Sequence, residues 1–202
     1  AGAPRSRVTR RFVATTDSAH GQPVASNVLA RDFTATGANQ KWSADITYIA
    51  TREGWLYLAV VLDLWSRRVV GWSMGERIDA TLVQNALRSA LEGRYPAAGL
   101  VHHSDRGVQY ASDDFQRLLD DHGITCSMSR KGDCWDNAPT ESFFGKLKTE
   151  WLDGEVFATR AAARQAVFEY IEVFYNRIRR HAALGYVSPV EFEACAAKEM
   201  AA

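Results

Sequence analysis

The distribution of apolar residues divides the chain near residue 40. Before that point there is neither strand alternation nor helical periodicity, and Ala, Thr, Arg and Gly predominate, which is typical of an extended arm or linker. From Trp42 onwards, β-rich runs are separated by turn-like residues, which predicts an antiparallel meander. The predicted strands are Lys41–Thr51, Trp55–Leu64 and Arg68–Met74. We therefore divide the chain into an N-terminal basic arm or linker, residues 1–36, and a core with C-terminal helices, residues 37–202.

After the meander, helical and strand-like patterns alternate. Asp79 is a natural N-cap, and apolar residues recur behind it at helical spacing until Gly93, where the helix is predicted to end. A short apolar strand at Gly99–His103, a second helix capped by Ser112 and another short strand at Ile124–Met128 follow. Strands and helices in this order indicate an α/β fold, a mixed sheet with helices on its faces.

The last third of the chain is predicted to be a loop followed by helices. The loop at Ser129–Asn137 ends at Asp136 or Asn137, either of which can cap the next helix. Thr159 begins a long helix. The run Ser188-Pro189-Val190-Glu191 is a capping box with Pro at the first helical position, which predicts a last short helix.

Composition places few limits on the partner. The 202 residues suffice for one sizeable core, and a hydrophobic fraction of 47% with six Trp excludes a disordered chain. The formal net charge is zero, so overall charge does not indicate a nucleic-acid partner. Positive charge is local instead, with four arginines within residues 1–16 and three within Asn176–His181. Such segments suit either a polyanion held at chosen places or ordinary solvated ends.

Cysteine usage and hydropathy indicate a cytoplasmic protein without a membrane partner. The three cysteines are odd in number and lack paired spacing, so neither a disulfide framework nor a zinc site is expected. The apolar run Leu56–Leu62 is stopped by Asp63 and is too short to span a bilayer. There is no signal-peptide pattern either.

Three carboxylates form the candidate site. Asp45 lies inside a strand, where Asp is disfavoured, and Asp105 directly follows an apolar strand, at the edge where α/β sheets place their sites. Glu141 lies near the start of a helix, on the same side as Gly145 and Lys148. Converging at one sheet edge, the three acids would repel one another unless a cation neutralised them. Carboxylates without Cys or paired His favour Mg²⁺ or Mn²⁺, two of which can carry out an in-line displacement at phosphorus.

Each acid taken alone also has a structural explanation. Asp105 can belong to a polar turn, and Glu141 can be favoured by the helix dipole in the first turn. The structural explanation is weaker for Asp45, because an Asp in the middle of a strand needs a specific reason to lie there. Asp63 precedes Leu-Trp-Ser-Arg at a hairpin bend, where we predict a turn-capping role outside the site. His102 and His103 are adjacent on a strand and point to opposite faces, so we expect packing groups or groups that support the site residues there, rather than a joint metal site.

Several motifs resemble one known family. Asp45, Asp105 and Glu141, with thirty-five residues between the last two, resemble the DDE triad of retroviral-integrase-type transposases. Between Leu29 and Glu193 the chain is similar to the second-reading-frame (OrfB) transposases of the IS-three insertion-sequence family. The stretches that carry this likeness are KWSADITYI, HHSDRGVQYAS, SRKGDCWDNAPTESFFGKLKTE and YNRIRRHAALGYVSPVEF.

The resemblance implies both a fold and a reaction. The fold is ribonuclease-H-like, a five-stranded mixed sheet flanked by helices. The reaction is two-metal cleavage and joining of DNA ends, with the three carboxylates as ligands of Mg²⁺ or Mn²⁺ and no nucleotide cofactor. Family members usually carry an upstream helix-turn-helix region, and the chain begins too late to contain it, so we expect a fragment or truncated copy.

Basic residues near the triad are candidate DNA contacts. The resemblance assigns a contact with terminal DNA to Lys148, two helical turns after Glu141; the alternative is a solvated helix lysine. Arg130 and Lys131 in the loop would meet phosphates, while Trp135 either stacks on an unpaired base or plugs the start of the next helix.

A second basic group lies at the end of the long helix. Arg177 and Arg180 either complement the dipole of that helix or grip phosphate.

The leading hypothesis is the catalytic core of a DNA transposase, with metal-dependent strand cleavage and strand transfer. One alternative is a metal-dependent nuclease of the same fold, and another is an inactive DNA-binding or assembly module. The expected partners are DNA, both element ends and target, and further copies of the chain, at least a dimer on DNA. The expected location is the bacterial cytoplasm, in association with the nucleoid.

Overall fold

The computed structural model describes residues 21–131, 133–152 and 154–200. The four N-terminal arginines predicted to form a basic arm lie outside these ranges. Within them the strands are β1 (Lys41–Thr51), β2 (Gly54–Asp63), β3 (Val69–Gly75), β4 (Val101–Ser104) and β5 (Thr125–Met128). The α-helices are α1 (Ala80–Arg94), α2 (Val108–Ala111), α3 (Asp113–Asp121), α4 (Ala138–Lys146), α5 (Arg160–Phe168) and α6 (Pro189–Met200). Among the described residues, no helix combines the length and apolar character needed to cross a membrane.

The five strands form one mixed sheet in the order β3-β2-β1-β4-β5. The first three strands are an antiparallel meander, as the turn-like residues between them predict. β4 pairs parallel with β1, and β5 pairs parallel with β4. The long central strand β1 therefore joins the antiparallel half of the sheet to the parallel half.

Helices cover both faces of the sheet because β1 and β2 are apolar on both. On one face Trp42, Ala44 and Ile46 of β1 pack with residues of α1, α2 and α3. On the other face alternate residues of β2 pack with Ile49, α4, α5 and two π-helical segments, Leu147–Leu152 and Glu169–Tyr175. Side chains alternate between the faces of a strand, so each central strand contributes to two separate cores. The result is three layers.

The ends of α1 are only partly those that the sequence predicts. Asp79 caps α1, accepting a hydrogen bond from the Leu82 N–H at 3.0 Å. The predicted end at Gly93 is wrong: the helix continues to Arg94, and the left-handed residue that follows it is Tyr95, with φ of 44°.

The buried carboxylate of Asp63 organises the turn between β2 and β3. Its Oδ1 accepts hydrogen bonds from the N–H groups of Trp65 and Ser66, at 2.9 and 3.0 Å, which confirms the predicted turn-capping role. Its Oδ2 also accepts a hydrogen bond from the Asn39 N–H at 2.7 Å, so the same side chain holds the segment that leads into β1. This acid is therefore structural.

The side chain of Asn176 joins the C-terminal region to the edge of the sheet. It accepts a hydrogen bond from the Val69 N–H and donates one to the Val69 carbonyl, both at 3.0 Å. These are the bonds that a further strand would make at the start of β3. Asn176 is 3% exposed, so its side-chain amide, rather than water, satisfies the Val69 backbone groups at this edge.

Part of the predicted arm lies on the core. Leu29 is buried, and its N–H donates to the Ser127 hydroxyl at 3.0 Å. Arg31 forms an ion pair with Asp136 at 2.8 Å, and Lys41 of β1 forms one with Asp32 at 2.8 Å. The segment before β1 is thus attached to β5 and to the loop before α4, while the domain division at residue 36 stays a prediction.

We predict that two Gly→Ala substitutions have opposite effects on stability. A Cβ at Gly71 in β3 would lie 2.6 Å from the backbone N of Ala90 in α1, so α1 must move, and we expect a loss of about 1–3 kcal/mol. The control is Gly93→Ala: Gly93 is exposed within α1, with no atom within 4 Å of an added Cβ. It should stabilise the protein by about 0.5–1 kcal/mol. Urea unfolding measures both, and an unchanged stability of Gly71→Ala would contradict the tight packing of α1 on β3.

Candidate active site

Adjacent parallel strands place Asp45 and Asp105 at the same level of the sheet. The pairing register sets Ser43 of β1 opposite His103 of β4, and each acid follows two residues later. The Asp105 carboxylate accepts a hydrogen bond from the Gly107 N–H at 2.9 Å, and the Asp45 carboxylate accepts one from the N–H of the next residue at 2.7 Å. Both side chains are half-buried. The register therefore sets both acids beside the carboxyl end of β4, and their role as a site stays a prediction.

The three predicted acids act on one another electrostatically. Burial raises the pKa of Asp45 well above its usual value, and the negative charges of Asp105 and Glu141 raise it further. The Ile46 N–H and the Lys148 ammonium oppose this shift. Partial burial also raises the pKa of Glu141. The structure thus brings Asp105 and Glu141 close enough to Asp45 for their charges to disfavour its ionisation, an effect that a bound cation would relieve.

Tyr110 lies buried beside the acids. Among the described residues its hydroxyl has no hydrogen-bond partner, and the same is true of Oε1 of the preceding Gln109. Burial raises the pKa of Tyr110, and the charges of Asp45 and Asp105 raise it further. The hydroxyl is therefore a protonated donor next to two acids. Sequence patterns gave no signal for this residue, because an apolar position in a helix explains a Tyr equally well.

The donor atoms of the site fit a hard divalent cation. Mg²⁺ in proteins is held by one or two carboxylates and keeps water and substrate phosphate ligands. In the described part of the chain, no three His, Cys, Asp or Glu side chains are drawn together tightly enough to hold an ion by themselves. An ion that retains water suits Asp45, Asp105 and the unpartnered Tyr110 hydroxyl, because metal-bound water would satisfy such buried polar groups.

The two adjacent histidines are packing groups, as their opposite directions predict. Both ring nitrogens of His103 lie against serine hydroxyls, Nδ1 at 2.9 Å from Ser127 and Nε2 at 3.1 Å from Ser129. His102 packs edge-on against Phe115 with ring centroids 5.4 Å apart. Burial lowers the pKa of His103 to about 4 and that of His102 to about 3, so both are neutral near pH 7.

The loop before α4 is held by the buried carboxylate of Asp136. This carboxylate accepts hydrogen bonds from the guanidinium of Arg130 at 2.8 and 3.0 Å, from Arg31 at 2.8 Å and from Asn27 at 2.9 Å. The two arginines hold the pKa of Asp136 well below its usual range. Arg130, a predicted phosphate contact, is thus ion-paired within the protein, while Lys131 beside it is exposed.

Of the two predicted caps of α4, Asn137 is the residue at the N-cap. Its side chain makes no capping bond there. Its amide donates instead to the Ala44 carbonyl of β1 at 3.0 Å. The loop side chains are used for contacts with distant parts of the chain, which local capping rules do not describe.

Lys148 lies within electrostatic range of the triad. It belongs to the π-helical segment that follows α4, a type of irregularity frequent at functional sites. Its ammonium is 4.7 Å from the ring centroid of Tyr48, which packs edge-on against Trp55 at 5.0 Å. Partial burial lowers the pKa of Lys148, and the charge of Asp45 opposes the shift. Lys148 is therefore held by an aromatic ring beside the acids.

The other predicted DNA-contacting residues are exposed. Trp135 is 69% exposed, so the alternative that it plugs the start of α4 is wrong. Arg177 and Arg180 are also exposed, and their contact with DNA stays a prediction. Arg179 between them donates to Glu150 at 2.7 Å, so this third arginine has a partner within the protein.

Comparison with known proteins identifies the family. Two families, both described as integrase core domain, match residues 35–134 and 122–189. Transposase InsF for insertion sequence IS3A from Escherichia coli strain K12 is 52% identical over 189 residues, 94% of this chain and 66% of the relative. The uncharacterized 31 kDa protein of insertion element IS600 from Shigella sonnei is 50% identical over 188 residues, 93% of this chain and 69% of the relative. The chain belongs to the family of IS3-type transposases.

Family membership confirms the resemblance inferred from the motifs. The chain spans just under two thirds of the length of the InsF relatives that it matches. The two matching integrase families overlap in the loop that carries Arg130, and together they reach from the segment before β1 to the start of α6.

Solved integrase structures share the fold of this IS3-type core. One is from the simian T-cell lymphotropic virus intasome in complex with PP2A regulatory subunit B56 gamma, with TM-score 0.65 and 19% identity over 89% of this chain and 61% of that chain. Another is the HTLV-2 integrase catalytic core domain in complex with magnesium, with TM-score 0.60 and 17% identity over 79% of this chain and 99% of that chain. The predicted ribonuclease-H-like fold, a five-stranded mixed sheet flanked by helices, is confirmed.

We predict that Asp136→Asn destabilises the protein in a pH-dependent manner. Since its ion pairs lower the pKa of Asp136, their contribution is fully present above the unfolded-state pKa of about 3.9 and is lost as the pH falls through the lower folded-state value. At neutral pH we expect a loss of roughly 1–2 kcal/mol, limited because both arginines are partly solvated. Urea unfolding at neutral pH and at about pH 3 should show a smaller difference from wild type in acid.

The control for this variant is Asp114→Asn, which removes an exposed ion pair with Arg117. It should change stability little at either pH, because exposed pairs contribute little. A deficit of Asp136→Asn that is the same at both pH values would contradict the role of its charge.

Proposed function

We propose that this chain is the catalytic core of a DNA transposase that cleaves and joins DNA strands with Mg²⁺ or Mn²⁺ at Asp45, Asp105 and Glu141. The observation that carries the proposal is that Asp105, directly after β4, and Glu141 of α4 lie close enough to Asp45 of β1 for their charges to act on it. Membership of the IS3-type family and the integrase fold support it. A purely structural cluster of acids would gain nothing from their repulsion.

In the proposed reaction, Asp45, Asp105 and Glu141 would hold the metal. When bound, two such ions would activate an attacking oxygen and stabilise a leaving one. Water first attacks a phosphodiester at the element end, and the freed 3′-hydroxyl then attacks another phosphodiester. Because joining exchanges one phosphodiester for another, no nucleotide cofactor is needed, and orientation and charge neutralisation carry most of the catalysis.

Two other residues have roles that follow from their positions. The ammonium of Lys148, within range of Asp45, would bind a DNA phosphate beside the reacting one. The protonated hydroxyl of Tyr110 would donate a hydrogen bond beside the acids, at a place where burial excludes bulk water. None of these side chains forms a covalent intermediate.

The proposed partners are DNA, both element ends and target, and further copies of the chain. The HTLV-2 integrase core has been solved in dimeric and trimeric forms, and we propose at least a dimer of this chain on DNA. The exposed Lys131, Arg177 and Arg180 are available for phosphate contacts. The proposed location is the bacterial cytoplasm, near the nucleoid.

We predict that Asp105→Asn and Glu141→Gln each reduce strand joining by about a hundredfold or more, since each removes a metal-binding charge while keeping the size of the side chain. The assay is the joining of a labelled 3′-hydroxyl DNA end to target DNA with Mg²⁺ or Mn²⁺, together with calorimetry of metal binding. Asp121→Asn, which changes an exposed acid at the end of α3, is the matched control and should join DNA at the wild-type rate.

The same assay separates the alternatives. Wild-type protein that cuts DNA but does not join it is a nuclease of the same fold. If the protein binds DNA without cutting it, and if neither substitution changes its affinity for the metal, it is a DNA-binding or assembly module. Either result would overturn the proposed function.

We predict that Lys148→Ala weakens binding of the DNA end by about tenfold and lowers the slope of log affinity against log salt by about one. The control is Lys146→Ala on the same helical segment, because the Lys146 ammonium lies 3.1 Å from the Ser142 hydroxyl rather than beside the acids. Fluorescence anisotropy at several salt concentrations measures both. Equal losses in the two variants would contradict a specific contact by Lys148.

A further inference from the structure

A buried set of polar side chains joins the two elements that carry Asp45 and Glu141. The Ser43 hydroxyl of β1 donates a hydrogen bond to the side-chain Oδ1 of Asn137, and it lies 2.6 Å from the Thr140 hydroxyl of α4. The Asn137 amide donates to the Ala44 carbonyl of β1 at 3.0 Å. We call Ser43, Asn137 and Thr140 the polar clasp. Ser43 and Thr140 have no exposed surface, and Asn137 is 4% exposed.

The polar clasp does not serve the helix on which two of its members lie. An Asn at an N-cap normally accepts a hydrogen bond from an N–H of the first turn, but Asn137 makes no such bond in α4. The side-chain oxygen of Asn137 accepts a hydrogen bond from Ser43 of β1, and its side-chain N–H donates one to the Ala44 carbonyl of the same strand. Burial of polar groups is costly unless they are hydrogen-bonded, so three such residues in contact indicate a requirement for directional contacts at this junction.

The polar clasp lies directly beside the acids in the chain. Ser43 and Ala44 immediately precede Asp45, and Thr140 immediately precedes Glu141. Apolar contacts would let α4 slide or turn on the sheet, whereas hydrogen bonds fix its position along and around its axis.

We propose that Asn137 and Thr140 act through Ser43 as positioning residues, setting the place of Glu141 relative to Asp45 in the metal-binding form. The inference rests on the proposed function. None of the three side chains touches DNA or the metal in this scheme. Their loss should therefore weaken metal binding and turnover, while binding of DNA changes little.

Thr140 offers a matched pair of variants for the test. Thr140→Val removes the hydroxyl with little change of shape, and Thr140→Ser keeps the hydroxyl. Calorimetry of Mn²⁺ binding to the protein without DNA should show affinity about tenfold to a hundredfold lower in Thr140→Val, with wild-type affinity largely restored in Thr140→Ser. Strand joining should show a lower kcat in Thr140→Val, with the KM for DNA within about threefold of wild type.

A second pair separates positioning from general stability. Asn137→Ala is compared with Asn176→Ala, because Asn176 is equally buried and also binds a strand through its amide, at the far edge of the sheet. Both variants should lower the thermal unfolding midpoint. Only Asn137→Ala should weaken Mn²⁺ binding and lower kcat.

The outcomes distinguish this inference from the proposed function. Wild-type protein without metal binding and without strand joining would overturn both. The positioning role alone would be overturned by a different result. In that case wild-type protein binds Mn²⁺ and joins DNA, but Thr140→Val and Thr140→Ser have the same Mn²⁺ affinity and the same kcat. Equal losses of metal affinity in Asn137→Ala and Asn176→Ala would also overturn the positioning role, because they would trace the effect to lost stability.

Discussion

Repulsion between like charges is the constraint on which the arrangement of the three candidate acids depends. Asp45, Asp105 and Glu141 come from three different elements, and burial together with their mutual charge makes ionisation of Asp45 costly. The surrounding structure must therefore hold them in place by other forces.

Two kinds of force hold them. Packing on both faces of β1 and β2 keeps the central strands rigid, so Asp45 and Asp105 stay side by side through the parallel pairing of β1 with β4. The third acid is on a helix that apolar contact alone would position only loosely, and here the polar clasp adds directional hydrogen bonds. Under the proposed function, a rigid sheet and a hydrogen-bonded helix would together pre-organise the site for a metal ion.

The loop before α4 is held by charge. Asp136 gathers Arg31 from the segment before β1 and Arg130 from the loop itself, so two cations that are available to phosphate by sequence are bound within the protein. Held in this way, the loop carries an exposed Trp135 and an exposed Lys131. The ion pairs with Asp136 thus fix the positions of the Arg31 and Arg130 side chains, which stay 43% and 53% exposed.

The sequence by itself determined the sheet and the core, because hydrophobic period and strand order depend on neighbours along the chain. It also singled out the three acids as candidates, since the motifs that match a known family lie in order along the chain. Cap positions at Asp79 and Asp63 followed from the same local rules. Only the tertiary structure decided the contact of Asn137 with β1, the pairing of Asp136 with Arg31 and the position of Tyr110 beside Asp45, since each joins residues distant in the chain. No local pattern distinguishes an Asn that caps its own helix from one that binds a strand about ninety residues away.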